Sequence, residues 1–388
     1  MHRSTRVLLA LPIAAFFYAL YIHSDVLFFS SWRASPLQRI AQPGNLQGQD
    51  EFALERESDF DEFTGKRWAF LRKPKFLFVF VATEGWAWNG NPPPNPLEPH
   101  PIVNNCNGPT WVRNLTQTWS SRGSGKTLVA NMAVNSAPVS STITPPGVST
   151  LDLGQQLAIF EKYFTDHEQA VGDGYGRIFD RQSKVKAPWQ DDNAVFAFTF
   201  GTNDVPLALK ALKTSKLSST FRRIGASYVA TLERLYQAGA RAFVFSEVLP
   251  LDRSPLGLAM ESGIGAVEML GAAVREFNNI VLETNIGKWC HDKAEVRCLI
   301  LKTYHLATRI MDEPDKYAFK YPFEYCEEYA KRHTVEAELE KDPWCKGPLR
   351  EYVWRDEIHP SYAFHMFWAE LYEEAATELL KTEYAPIE

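Results

Sequence analysis

Five short apolar runs punctuate the chain from Lys75 onward: Phe76 to Ala82, Leu128 to Val134, Ala194 to Phe200, Ala242 to Val248 and, more weakly, Val296 to Leu301. The first is apolar throughout and the others are interrupted only at Asn131, Thr199, Ser246-Glu247 and Arg297, the pattern of strands buried on both faces, which suits a parallel sheet. Helices are expected between them, over Leu151 to Phe164, over Ser218 to Ala238 with Gly239 as its stop, and over Ile264 to Leu282. A last helix is expected over Ser361 to Leu380, behind the Pro360 boundary. Strands alternating with helices predict a doubly wound α/β domain of about five parallel strands, covered on both faces. In that architecture ligands bind beyond the carboxyl ends of the strands.

The N-terminal pattern is different. Arg3 and Arg6 precede a continuous apolar stretch from Val7 to Ile22, with Val26 to Phe29 beyond a short polar break. No small-x-small cleavage site follows Ile22, so residues 1–34 are expected to be a signal-anchor, or a signal peptide if cleaved. The positive N-terminal flank would keep the N-terminus cytoplasmic and the rest of the protein lumenal or extracellular, with the membrane as a partner through this segment. Residues 35–74 carry Pro36, Pro43 and the acidic series Asp50, Glu51, Glu55, Glu57, Asp59, Asp61 and Glu62, the composition of a stalk. The folded domain is then 75–388.

Composition narrows the partners. A chain of 388 residues, 45% hydrophobic, can bury one sizeable core. Its net charge of −6, without a clustered Lys/Arg stripe, gives no field for a nucleic-acid backbone. The five cysteines, Cys106, Cys290, Cys298, Cys326 and Cys345, lack zinc-site spacing, and no metal site is expected. In an oxidising compartment Cys290–Cys298 and Cys326–Cys345 are the shortest loop closures and leave Cys106 free; buried free thiols are the alternative. Asn114-Leu115-Thr116 is a glycosylation acceptor triplet.

Two motifs carry chemistry. Gly201-Thr202-Asn203-Asp204 begins where the third apolar run ends, and its Asn amide can donate to a developing oxyanion. Asp356-Glu357-Ile358-His359-Pro360 sets a general base three residues from a carboxylate that can orient it. Each also has a plain reading, as an ordinary turn or as a helix cap followed by a fixed turn. Their order and placement carry the weight, because Asn135 and Ser136 follow the second run and Val81 to Glu84 the end of the first. Trp86, Trp88 and Trp111 lie in or beside the loop after the first run, where exposed rings would form a sugar platform and buried ones the core rim.

From about Lys75 to Leu380 the chain resembles the SGNH (GDSL-type) hydrolase superfamily, and within it the fungal branch grouped with carbohydrate acetylesterases. Beyond the short motifs, the resemblance rests on Leu235-Tyr236-Gln237-Ala238-Gly239-Ala240-Arg241, on Pro250-Leu251-Asp252-Arg253-Ser254-Pro255, on Asn107-Gly108-Pro109-Thr110-Trp111-Val112, and on Trp354 before the Asp/His pair. It implies a flavodoxin-like sheet, a Ser-His-Asp mechanism without metal or organic cofactor, and removal of acyl groups, often acetyl, from sugars or other small esters. His359 falls at the general-base position, Asp356 at the orienting carboxylate, and Asn203 at the side-chain oxyanion donor. Asn135 or Ser136 falls where the family has a glycine offering a backbone N–H.

The first block departs from the family. Members read Phe-Val-Phe-Gly-Asp-Ser, whereas this chain reads Phe78-Val79-Phe80-Val81-Ala82-Thr83-Glu84-Gly85-Trp86, with no serine between Phe76 and Asn107. An ungapped alignment puts Thr83 at the nucleophile; a gapped one removes about four residues after Phe80 and restores the Gly85-Trp86 spacing. Three readings stay open: a serine-bearing stretch missing from this sequence, a pseudoenzyme that binds a glycan or another ligand, or a threonine nucleophile crowded by its β-methyl group.

Overall fold

The computed structural model describes residues 76–82, 105–121, 127–148, 150–165, 193–211, 216–260, 265–293, 295–334 and 339–379, together with residues 74, 189 and 337. All lie in one compact unit spanning Leu71–Glu388. The expected N-terminal segment 1–34, and the stalk 35–74 except Pro74, lie outside the described residues.

Five strands, β1 (Phe76–Val81), β2 (Leu128–Asn131), β3 (Ala194–Thr199), β4 (Ala242–Ser246) and β5 (Arg297–Leu301), form a sheet in the order β2-β1-β3-β4-β5. Every pairing is parallel. This is the flavodoxin-like order, whose switch point lies between β1 and β3. The strand order reverses there, so the connections from β1 and β3 leave in opposite directions and open a crevice at the carboxyl ends.

The successive apolar positions resolve into two unlike faces. On one, Phe78 pairs in register with Phe196 and Phe80 with Phe198, their ring centroids 4.9 and 5.0 Å apart, and Phe196 and Phe198 pair onward with Phe243 and Phe245. Helices α2 (Leu153–Phe164) and α4 (Leu217–Gln237) supply the rings that meet this phenylalanine ladder, Phe160 edge-on to Phe78 at 4.9 Å and Tyr228 against Phe198 and Phe245. The other face carries aliphatic and small residues, Leu77, Val79, Val81, Val195, Ala197 and Val244 among them, smaller than the phenylalanines opposite. Helices α1 (Trp111–Ser121) and α7 (Tyr362–Leu379) meet each other there through Trp111 and Tyr372, stacked at 3.8 Å. The Tyr372 hydroxyl reaches Thr199 Oγ1 at 3.0 Å and Ser246 Oγ at 2.7 Å, which satisfies two strand hydroxyls buried with it.

Local signals set the boundaries. Asp152 caps α2 and forms a reciprocal capping box with Gln155. Gly239, at φ +104°, turns the chain out of α4 into β4. The helix expected over Ile264 to Leu282 is α5 (Ala266–Phe277), which widens into a π-helix over Asn278–Ile286. At that junction the Asn278 side chain pairs with both backbone groups of Val248, accepting from its N–H at 2.9 Å and donating to its carbonyl at 3.1 Å. Helices α1, α3 (Asp204–Ala211) and α6 (Thr303–Asp312) were not expected from the apolar pattern, nor were the short helices Pro255–Ala259 and Gly287–His291. Disulfides join Cys290 to Cys298 and Cys326 to Cys345, and Cys106 is a buried thiol.

Candidate active site

The His359–Asp356 pair is built by one tight loop entering α7. Trp354 bridges to Pro360, and the Arg355 N–H donates to the His359 carbonyl at 2.8 Å, so the intervening residues form a closed turn. Inside it, the N–H groups of Ile358 and His359 donate to Asp356 Oδ1 at 3.0 and 2.8 Å. The imidazole Nδ1 lies 2.9 and 2.8 Å from the two carboxylate oxygens. An ionised carboxylate only accepts, so Nδ1 carries the proton and Nε2 presents a lone pair. Burial alone would raise the Asp356 pKa, but His359 and Arg355 outweigh it and hold the carboxyl well below its usual range. This arrangement can remove a proton from a hydroxyl and stabilise the imidazolium that results.

Nε2 faces an amide. Asn105 Nδ2 lies 3.4 Å from it and 3.4 Å from Asn135 Oδ1. Beside them a pocket of about 20 Å³, lined by Cys106, Thr110, His359, His365 and Trp368, has room for roughly one water. His365 is buried there with Nδ1 accepting from the Trp111 N–H at 3.3 Å. Burial and the proximity of His359 pull its pKa down to about 3.

The oxyanion side is assembled at the ends of β1, β2 and β3. Gly201 stands at φ +114°, and a Cβ there would come within 2.4 Å of Val248 and 2.5 Å of Phe277, so only glycine permits the turn. That turn brings Asn203 across to the other strand ends, where its amide donates to the Ala82 carbonyl at 3.1 Å and the Ala137 carbonyl at 3.2 Å. Asn203 was expected to donate to an oxyanion; in this structure its two amide protons are committed to backbone. The neighbouring Asp204 is fully buried and accepts from the Val139 N–H at 3.1 Å and from Thr144 Oγ1 at 2.8 Å. Its burial outweighs these bonds and raises its pKa to about 7. Ser136, where the family has glycine, keeps the left-handed backbone at φ +62°, a conformation that costs a residue with a side chain roughly 1 kcal/mol. Its N–H makes no hydrogen bond within the described residues.

Other expected residues separate. Thr83, Trp86 and Trp88 lie outside the described residues. Trp111 is fully buried against Tyr372, which removes it from any exposed sugar platform. Asn114 lies in the first turn of α1, half-buried, with its amide donating to the Pro109 carbonyl at 3.3 Å. Arg253 pairs with Asp312, as a surface loop tie. Among the described residues no His, Cys, Asp or Glu cluster could hold a metal ion, and no helix is long and apolar enough to cross a membrane. Sequence reasoning assigned no role to Asn105, Asp204, Arg355 or His365. Asp204 had a signal as the last residue of the Gly201-Thr202-Asn203-Asp204 motif, and Arg355 as a charge directly beside the motif carboxylate.

With this geometry in place, the chain's relationships are specific. The profile of the GDSL-like Lipase/Acylhydrolase family matches residues 82–372, and the chain belongs to that family. It is 29% identical to an acetylesterase of Thermothelomyces thermophilus over 228 residues, which is 58% of this chain and 67% of the relative. It is 23% identical to the GDSL esterase/lipase At5g14450 of Arabidopsis thaliana over 220 residues, 53% of this chain and 55% of that protein. Among solved structures, LAE5, an α/β hydrolase enzyme from the metagenome of Lake Arreo in Spain, covers 81% of this chain and 99% of its own at 14% identity, with a TM-score of 0.33. The matched stretches thus span about two thirds and about half of the two relatives' lengths.

Proposed function

We propose that the protein is a carboxylic-ester hydrolase that removes acyl groups, acetyl foremost, from carbohydrate or other small esters. The observation that carries this reading is the His359–Asp356 pair, with Nδ1 held by the carboxylate and Nε2 left as the base. Membership of the GDSL-like family and likeness to an acetylesterase support it.

In this mechanism a hydroxyl at the end of β1 attacks the ester carbonyl while His359 takes its proton. Asp356 balances the imidazolium. The Ser136 N–H, and Asn203 if its amide turns from the two carbonyls, would receive the negative oxygen. His359 then protonates the leaving alcohol, and water repeats the sequence on the acyl-enzyme. The nucleophile is a serine from a stretch missing after Phe80, or Thr83.

A second reading is favoured by two observations, the commitment of Asn203 to backbone and the Asn105 amide beside Nε2. A site filled in this way would bind a glycan or another ligand without turning it over. The test begins with the transcript across the codons for Lys75 to Trp88, followed by assay of the encoded protein on acetylated sugars. Turnover that disappears with His359→Ala supports the esterase. An inert wild-type protein that still binds the sugar supports the second reading.

A further inference from the structure

We propose that Arg355 is a positioning residue for the His359–Asp356 pair, tying it to the disulfide-closed segment between Cys326 and Cys345. This rests on His359 being the site's base. The Arg355 side chain is only 4% exposed. One terminal nitrogen, Nη1, donates to Asp356 Oδ2, while the other, Nη2, donates to the Arg332 carbonyl and lies 3.3 Å from His333 Nδ1. Arg332 in turn pairs with Asp342, whose N–H donates to the Tyr329 hydroxyl at 3.0 Å, and the Cys326–Cys345 disulfide closes the same segment.

The carboxylate is therefore gripped at both ends. Oδ1 takes the N–H groups of Ile358 and His359, and Oδ2 takes the guanidinium. A carboxylate held at one oxygen can rotate about χ2 and carry the imidazole with it; held at both, it fixes the plane that Nδ1 faces. A planar fork can bridge Asp356 and the Arg332 carbonyl at once, which a lysine ammonium on its flexible stem does not reproduce. Arg355 Nε is buried without a hydrogen-bond partner among the described residues, so the two terminal nitrogens carry the side chain's polar contacts.

The test is the nitrogen-15 spectrum of the His359 imidazole in the full-length protein, assigned by comparison with His359→Gln. The wild type is expected to show one tautomer, protonated at Nδ1, with a slowly exchanging Nδ1–H signal. Arg355→Lys keeps the charge and loses the fork, and is expected to lose that signal to exchange and to mix the tautomers. His333→Phe, at an exposed position, removes one acceptor from the guanidinium without touching the buried carboxylate, and is expected to speed the exchange without lowering the melting temperature. A wild-type tautomer and linewidth in either variant would overturn the proposal; should Arg355→Lys fail to fold, His333→Phe decides. The spectrum does not read ester turnover, so a catalytically inert protein with the expected tautomer change sinks only the esterase reading. An active esterase whose imidazole ignores both substitutions sinks only this proposal.

Discussion

The two halves of the site are built to different standards. On the α7 side, one closed turn fixes Asp356 and His359 with five hydrogen-bond contacts to the carboxylate, an arginine included. On the strand-end side, the family's parts are present but differently employed: Asn203 ties Ala82 to Ala137, and Ser136 holds a glycine's backbone angles. A short contiguous motif specifies its own geometry, because the groups that bond are three residues apart. An oxyanion hole has no such locality, since it is assembled from three strand ends far apart in sequence. Its donors can be diverted to scaffold duty without altering the motif that announces them.

The sharpest way to separate the halves is to remove the base. In a working triad, His359→Ala should lower turnover on acetyl esters by about 10⁶, with the melting temperature little changed. Activity surviving at more than a hundredth of the wild-type rate would mean that the well-built half is not the catalytic one.

The halves should also titrate in opposite senses. Asp204, on the strand-end side, has a folded pKa near 7 against 3.8 unfolded, so the fold binds its proton more tightly. Its contribution to stability is complete below about pH 4 and is lost as pH rises toward 7, by at most about 4 kcal/mol. His365, beside His359, has a folded pKa near 3 against 6.5, so the fold excludes its proton. Its contribution is present above about pH 6.5 and is lost as pH falls toward 3, on a similar scale of about 4 kcal/mol. The two slopes nearly cancel in the wild type between pH 4 and 6.5. Denaturant melts of Asp204→Asn should therefore show stability climbing with pH across that window, and His365→Asn should show it falling. Parallel pH profiles for the two variants would refute the assignment.

The same locality explains what the sequence made legible. All five strands and the helices α2, α4 and α7 were expected within a few residues, because continuous apolar runs and helical spacing are properties of the segment itself. Helix α1 was not, although its buried residues Trp111, Leu115 and Trp119 stand four apart with polar residues between them, the spacing of an amphipathic helix, so this element was legible and went unread. His359 and Asp356 were legible for the reason just given. Asn105 was not, because its significance is its nearness to a histidine 254 residues away. The expected oxyanion role of Asn203 came from resemblance, and resemblance carries a residue's position without its hydrogen bonds.

Asn203→Ala tests the strand-end half directly. If the amide is scaffold, its loss strands two carbonyls and should cost about 2 kcal/mol of stability, less where water reaches the half-buried site. If instead it turns to the oxyanion during reaction, kcat should fall by about 10² to 10³ with KM little changed. Measuring both on one protein divides the roles, and a variant with unchanged stability would remove the scaffold argument.

The smallest effect comes from Ser136. A left-handed backbone costs a residue with a side chain roughly 1 kcal/mol, whereas glycine adopts it freely but gives up about 0.5 to 1 kcal/mol of unfolded-chain entropy. The two nearly offset, so Ser136→Gly should change stability by less than about 1 kcal/mol. Ser136→Val carries a β-branched side chain into the same angles and should be destabilised by more than the glycine variant gains or loses. If the left-handed turn is what keeps the Ser136 N–H available, the glycine variant should retain ligand binding and the valine variant should lose it. Equal stability and equal binding in both would mean that the turn at φ +62° is not a constraint on this half of the site.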